Sequence, residues 1–184
     1  MNPEDVAISG STNADDGATL SWKRTRTPVE AAHGVRLFFL DLDGARPRSP
    51  VTANAPIDGL DHVVIATDAP ERAAALYGAK LGLDMRLDLT RPDWNARLMF
   101  FRCGDLVVEI VHRLNDATRG EQDRLWGLSW RVADIEASRA RLASSGFDVS
   151  EIRTGRRPGT HVFTVKSGPL GVPTLIIQPE TRRD

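Results

Sequence analysis

His62 and Glu109 are of the types that hold a divalent metal or pass a proton, and both stand in apolar runs. His62 lies in Leu60-Asp61-His62-Val63-Val64-Ile65-Ala66-Thr67, and Glu109 lies in Leu106-Val107-Val108-Glu109-Ile110-Val111. An ionised carboxylate in so apolar a strand is costly without a partner. One partner would be a base on a neighbouring strand, Arg97 or Arg131. The alternative is a water-poor pocket in which Glu109 works as base or ligand with a raised pKa. The pocket is the preferred reading, because an acid in that setting needs a reason. His62 is either a ligand, acid or base, or a strand histidine satisfied by a backbone or polar neighbour. His161, in Thr160-His161-Val162-Phe163-Thr164, is a remote third candidate ligand and otherwise a strand-surface residue. His112 comes three residues after Glu109, which on a strand puts it on the opposite face. His33 has no partner in sequence.

Other residues can shape a binding site. Met99 and Phe101 share strand parity, so they are packed together or face a cavity together. Trp94, Phe101, Trp126 and Trp130 suit an apolar or aromatic ligand, although most such residues pack in cores. Arg131 shares a face with Gly127 and Ser129, where it can meet an anionic substrate or pair with Glu109. Cys103, beside a turn and without an adjacent base, reads as structural. Arg156-Arg157 reads as a solvated patch or the rim of a cavity. The chain has no P-loop, dinucleotide fingerprint, GxSxG elbow, HExxH or CxxC motif.

These residues are carried on an internal repeat. In the first copy, strand 60–67 leads to a helix opened by Pro70 and Glu71, which suit the first turn and the positive end of the dipole. Gly82 is placed to stop it. Strands near 84–89, 96–103 and 105–112 follow, the last two joined by Gly104-Asp105. In the second copy, strand 125–132 leads to Asp134, a helix cap, and a helix over 135–145 ended by Gly146. Strands near 147–153, 160–166 and 173–178 close the copy. Each copy therefore reads βαβββ. The copies differ at the chemical positions: His62 lines up with Gly127, and Glu109 with Leu175 or Ile176.

Ahead of the repeat, residues 1–17 read as loop. Strands follow near 18–25 and 35–41, and Ala45-Arg46-Pro47-Arg48-Ser49-Pro50 reads as a linker. The expected organisation is an N-terminal β extension and linker over 1–55, then a domain over 56–184 with modules at 58–114 and 123–179. At 184 residues the chain can bury one core with an appendage. A formal net charge of -1 gives no electrostatic case for nucleic acid or anionic membrane. No apolar run is long enough to cross a bilayer. A single cysteine excludes an internal disulfide, and a cytoplasmic setting fits.

The order βαβββ-βαβββ resembles the vicinal-oxygen-chelate superfamily of glyoxalase I, extradiol dioxygenases, bleomycin-resistance proteins and methylmalonyl-CoA epimerase. The resemblance is carried by Asp61-His62-Val63-Val64 with Pro70-Glu71-Arg72-Ala73-Ala74, by Trp130-Arg131-Val132-Ala133-Asp134, and by Gly171-Val172-Pro173-Thr174-Leu175. It implies an α+β fold in which two modules curl mixed sheets around a cleft. It also implies a small-molecule substrate or ligand, a homodimer, and lyase, isomerase or dioxygenase-type chemistry; a drug-sequestering, non-catalytic binder is the alternative. The resemblance places His62 and Glu109 as metal ligands and catalytic residues. Arg131, Trp130, Phe101 and Met99 would then contact the ligand, and the metal would be Zn, Ni, Mn or Fe. The second module offers only Gly127 and an aliphatic residue at the remaining ligand positions, so the implied metal site is incomplete.

Overall fold

Short runs rich in β-branched and other apolar residues recur along the chain, and a computed structural model is accordingly rich in strands; it describes residues 3–14, 16–44, 56–115 and 122–180. The chain divides into two units, Met1–Pro50 with Glu121–Asp123, and Val51–Gly120 with Arg124–Asp184. The proposed linker over 45–50 lies outside the described residues. No helix among the described residues is long and apolar enough to cross a membrane.

The first unit is an antiparallel sheet in the order β1-β2-β3, formed by β1 (Ala7–Thr12), β2 (Thr19–Arg26) and β3 (Phe38–Leu42). β2 and β3 match the two expected strands. β1 corrects the reading of 1–17 as loop. Its residues pair in register with β2, from Ala7 against Arg24 to Thr12 against Thr19. The turn between them closes with Asn13 N donating to Ala18 O at 2.8 Å.

The second unit is an eight-stranded mixed sheet. Its strands are β4 (Ile57–Ala66), β5 (Asp84–Arg91), β6 (Ala96–Cys103), β7 (Leu106–Arg113), β8 (Arg124–Val132), β9 (Arg153–Thr154), β10 (His161–Val165) and β11 (Thr174–Gln178). The order β5-β6-β7-β4-β8-β11-β10-β9 is the same sequence of roles read outward from the centre in both directions. β4 runs parallel to β7, β8 runs parallel to β11, and β4 meets β8 antiparallel. Where they meet, His62 faces Ser129 and Val64 faces Gly127. Because His62 corresponds to Gly127 and Val64 to Ser129, that register is a pseudo-twofold axis. Each half is a βαβββ module, as the repeat predicts.

Helix α1 (Pro70–Ala74) continues as a wider π-type turn over Ala75–Lys80, and the chain leaves through Gly82 at φ 68°. Helix α2 (Ile135–Ser144) starts at Asp134, whose carboxylate accepts from Ala137 N at 3.0 Å, and exits through Gly146 at φ 86°. Both stops fall where the glycines predict. The helices cover one face of the sheet. Under α1 and its extension, Tyr77 packs on Phe101 with ring centroids 6.1 Å apart. Under α2, Val132, Ile135, Phe163, Val165 and Ile176 form a buried cluster joined by Trp130.

The expected strand over 147–153 shrinks to the two residues of β9 and a single bridge from Val149 to Val165. The backbone bonds Ser150 N to Thr164 O at 2.9 Å and Lys166 N to Asp148 O at 2.8 Å remain, and serine side chains supply the other ladder contacts. Ser150 Oγ accepts from Thr164 N at 2.9 Å, and Ser167 Oγ accepts from Asp148 N at 3.1 Å. A hydroxyl that competes for backbone donors breaks the strand pattern locally.

Candidate functional site

Register decides which residues share the face opposite the helices. Glu109 on β7 stands between Val64 on β4 and Phe100 on β6, and His62 stands beside Val107 and Ser129. His62 and Glu109 are therefore on one face, with Nε2 3.4 Å from Oε2 and side-chain exposures of 16% and 11%. The same face carries an apolar wall of Val64, Ala96, Leu98 and Val111, extended by Phe100 and Trp94.

Asp61 completes the group. Strict alternation would point it away from His62. However, β4 advances two residues from Leu60 to His62 while β8 advances one, from Trp130 to Ser129, so Asp61 is the extra residue of a bulge. His62 Nδ1 lies 2.8 Å from Asp61 Oδ2. This hydrogen bond, opposed by burial and reinforced by the charges of His62, Arg131 and Arg157, holds Asp61 below the usual carboxylate range. An ionised Asp61 can only accept, so Nδ1 carries the proton, and Nε2 is the ring atom turned toward Glu109. Burial pushes the Glu109 carboxyl above its ordinary value, against the lowering influence of His62 and Arg156. The result is a buried carboxyl facing an imidazole whose orientation is set by a second carboxylate.

The two bases expected as ordinary partners of Glu109 are engaged elsewhere. Arg97 binds Glu71 at 2.6 Å and Asp88 at 2.8 Å. Arg131 lies 3.4 Å from Asp58, and its guanidinium covers Gly59, where an added Cβ would come within 2.9 Å of it. Arg156, by contrast, sits over the Trp94 ring at 4.7 Å, with Arg91 at 4.2 Å from the same ring. The loop read as patch or rim thus reaches the apolar wall that carries Glu109.

Four expected site residues lie off this face. Met99 and Phe101 are both 0% exposed and pair across β7 with Ile110 and Val108, on the helix side of the sheet. Their shared parity was legible, but it serves packing against α1 and its extension, which corrects their expected contact with ligand. Trp130 is likewise packed into the cluster beneath α2. His161 pairs with Gln178, one step out of phase with Leu175, so it faces away from Glu109 and is exposed. It is therefore corrected as a third ligand. His112 takes the helix side as expected, with Nδ1 3.1 Å from Thr67 O. Cys103 is free and exposed.

The donor set does not fit the implied metal. A catalytic zinc centre normally keeps three protein ligands, and a non-haem iron centre two histidines and a carboxylate. His62 and Glu109 supply two. Asp61 is bonded to the other side of the imidazole ring. The parallel registers set Val64 against Glu109 and Ser129 against Leu175, so Leu175 is the counterpart of Glu109. The counterpart of His62 is closed to a side chain, because a Cβ on Gly127 would lie 2.9 Å from Pro173 O. Among the described residues no three His, Cys, Asp or Glu side chains group to hold a metal ion.

In the sequence reading Asp61 had a place only in the motif that carries the resemblance, with no role at the site, and Arg91 had none. Asp61 was concealed by the bulge. Arg91 was signalled only by its nearness to Trp94, three residues on.

Comparison with known proteins agrees with this architecture. A curated relative, ethylmalonyl-CoA/methylmalonyl-CoA epimerase of Cereibacter sphaeroides, is 26% identical over 131 residues, covering 67% of this chain and 90% of its own length. The crystal structure of methylmalonyl-CoA epimerase from Mycobacterium tuberculosis superposes with a TM-score of 0.58 at 21% identity, covering 71% of this chain and 94% of that one. A Streptomyces coelicolor methylmalonyl-CoA epimerase variant in complex with 2-nitronate-propionyl-CoA gives 0.56 at 17% identity, covering 68% and 100%. Residues 61–164, more than half of the chain, match the family model for the glyoxalase/bleomycin resistance protein/dioxygenase superfamily, and the chain belongs to that superfamily.

Proposed function

We propose that this protein is an isomerase-type enzyme that moves a proton at the carbon next to a carbonyl group, acting on a small acyl compound held against the His62–Glu109 face in the cleft between the two modules. The observation that carries the reading is the buried Glu109 carboxyl 3.4 Å from an imidazole oriented by Asp61. A general base works best when its pKa lies near the working pH, and burial moves Glu109 in that direction. Glu109 takes the proton from carbon as the C–H bond breaks and the carbonyl gains enolate character. His62 Nε2 accepts that proton from the carboxyl in turn, so that the pair holds it until it returns to carbon. Asp61 offsets the charge on the imidazolium. The likeness to epimerases of malonyl-type CoA thioesters supports an acyl thioester as substrate.

The test is exchange of the α-hydrogen of methylmalonyl-CoA with deuterium oxide, followed by mass spectrometry. Exchange by the wild type that falls at least about a hundredfold in Glu109→Gln is expected, the scale of a lost general base. No exchange by the wild type, or undiminished exchange in the variant, sinks the reading.

A second reading, non-catalytic binding of a small molecule, is favoured by Gly127 and Leu175 standing where the first module has His62 and Glu109. It predicts saturable ligand binding that is equal in wild type and Glu109→Gln.

A further inference from the structure

Arginine is distributed unevenly in electrostatic terms around the Glu109 face. Arg91 is neutralised by a two-pronged bond to Asp93. Arg131 has Asp58. Arg156 has no carboxylate within ion-pairing distance among the described residues, yet its side chain is placed, with its guanidinium 4.7 Å from the centre of the Trp94 ring. Cation–π contact of this kind holds a guanidinium in position while its N–H donors remain available. The loop that carries it is closed by the buried Thr160. Thr160 Oγ1 donates to Arg157 O at 2.6 Å, and Gly155 N donates to Thr160 O at 2.9 Å.

Trp94 belongs to the apolar wall beside Glu109, so a cation braced on it stands at the edge of that wall. Its charge also acts on Glu109, opposing the upward push of burial. A ligand lying against the partly buried Phe100 and Trp94 beside Glu109 would therefore present one end to the Glu109–His62 pair and the other to Arg156.

We infer that Arg156, braced on Trp94, is the anion-recognising residue of this site, pairing with a carboxylate carried on the same small acyl group whose carbonyl lies at Glu109. The inference rests on the proton-transfer reading and adds to it the residue that recognises the acidic group of a malonyl-type acyl thioester, the kind of compound named for the relatives. It also moves the expected anion contact from Arg131 to Arg156. In coenzyme A thioesters a second anion, the phosphates of the carrier, could meet the same guanidinium, and the experiment separates the two sources.

Binding is measured calorimetrically for wild type, Arg156→Gln and Arg156→Lys with three probes: methylmalonyl-pantetheine, propionyl-pantetheine and methylmalonyl-CoA. Circular dichroism checks that each variant is folded. Arg156→Gln is expected to weaken methylmalonyl-pantetheine about tenfold or more, the scale of one hydrogen bond to a charged group. It should leave propionyl-pantetheine unchanged, with Arg156→Lys recovering part of the loss. Equal effects on both pantetheine thioesters, no effect on either, or no binding of methylmalonyl-pantetheine to the wild type overturns the inference. A loss seen only with methylmalonyl-CoA also overturns it and assigns Arg156 to the carrier phosphates. If Arg156 discriminates as expected but no α-hydrogen exchanges, the chemistry fails and the anion contact stands. If exchange occurs without that discrimination, the reverse holds.

Discussion

Gly127 offers a direct test of why the second module has no counterpart to His62. The residue occupies the position that His62 occupies in the first module, so the obvious repair is Gly127→His. The backbone opposes it. A Cβ at 127 would stand 2.9 Å from the carbonyl oxygen of Pro173 and 3.4 Å from Pro173 Cβ. That carbonyl is not free to yield, because it accepts a hydrogen bond from Leu128 N at 2.9 Å. The clash therefore strains the β8–β11 junction for any side chain, whatever its chemistry. Overpacking of this kind costs about 1–3 kcal/mol. For a chain of this size that lowers Tm by roughly 2–12 °C. Thermal melts of Gly127→Ala and Gly127→His should show similar losses, because the Cβ is the common cause. Elemental analysis after incubation with nickel, zinc or manganese should show no stoichiometric metal in wild type or in Gly127→His. The reasoning is refuted if Gly127→His melts with the wild type and binds one equivalent of metal that a further His62→Ala removes.

Three other outcomes are expected. Burial raises the Glu109 pKa above its ordinary 4.5, so its contribution to stability is full below that value and is lost as pH rises through the folded-state pKa. Glu109→Gln should therefore gain thermal stability relative to wild type on going from pH 4 to pH 8, and a pH-independent difference between their melts would contradict the assignment. Asp61→Asn removes the carboxylate that sets the His62 tautomer, so α-hydrogen exchange should fall while circular dichroism stays unchanged; full activity in this variant would show that Asp61 does not position His62. Phe101 is fully buried beneath the helical segment, and Phe101→Ala should cost about 3–5 kcal/mol in denaturant unfolding. A loss under 1 kcal/mol would return Phe101 to the ligand side of the sheet, on the order-of-magnitude scale of core truncations.

The repeat was legible because both modules mark their boundaries with local chemistry. Pro70, Gly82 and Gly146 start and stop helices by their backbone properties and Asp134 by its side-chain cap, none of which needs a tertiary partner. The short strands were legible where residues alternate and obscure where polar side chains intervene. Ser150 and Ser167 interrupted one expected strand by accepting backbone hydrogen bonds at their hydroxyl oxygens, and the pairing that makes a strand of Ala7–Thr12 depends on β2 lying alongside. The site divided in the same way. Glu109 identified itself by being an acid in an apolar strand. Met99 and Phe101 announced a shared face, but parity cannot say whether that face meets helix or cleft.

By itself, then, the sequence determined the duplicated βαβββ plan, the helix ends, and the pairing of one histidine with one buried acid in only one of the two copies. Those properties follow from residue type and period, which act over a few positions. Only the tertiary structure decided which face of the sheet carries His62 and Glu109, that Asp61 reaches His62, that Leu175 rather than Ile176 answers Glu109, and that, among the described residues, Arg156 rather than Arg131 stands without a carboxylate. Each of these depends on register: a one-residue bulge in β4 changes which side chains share a face, and strands far apart in sequence bring their partners together only once the ladder is set.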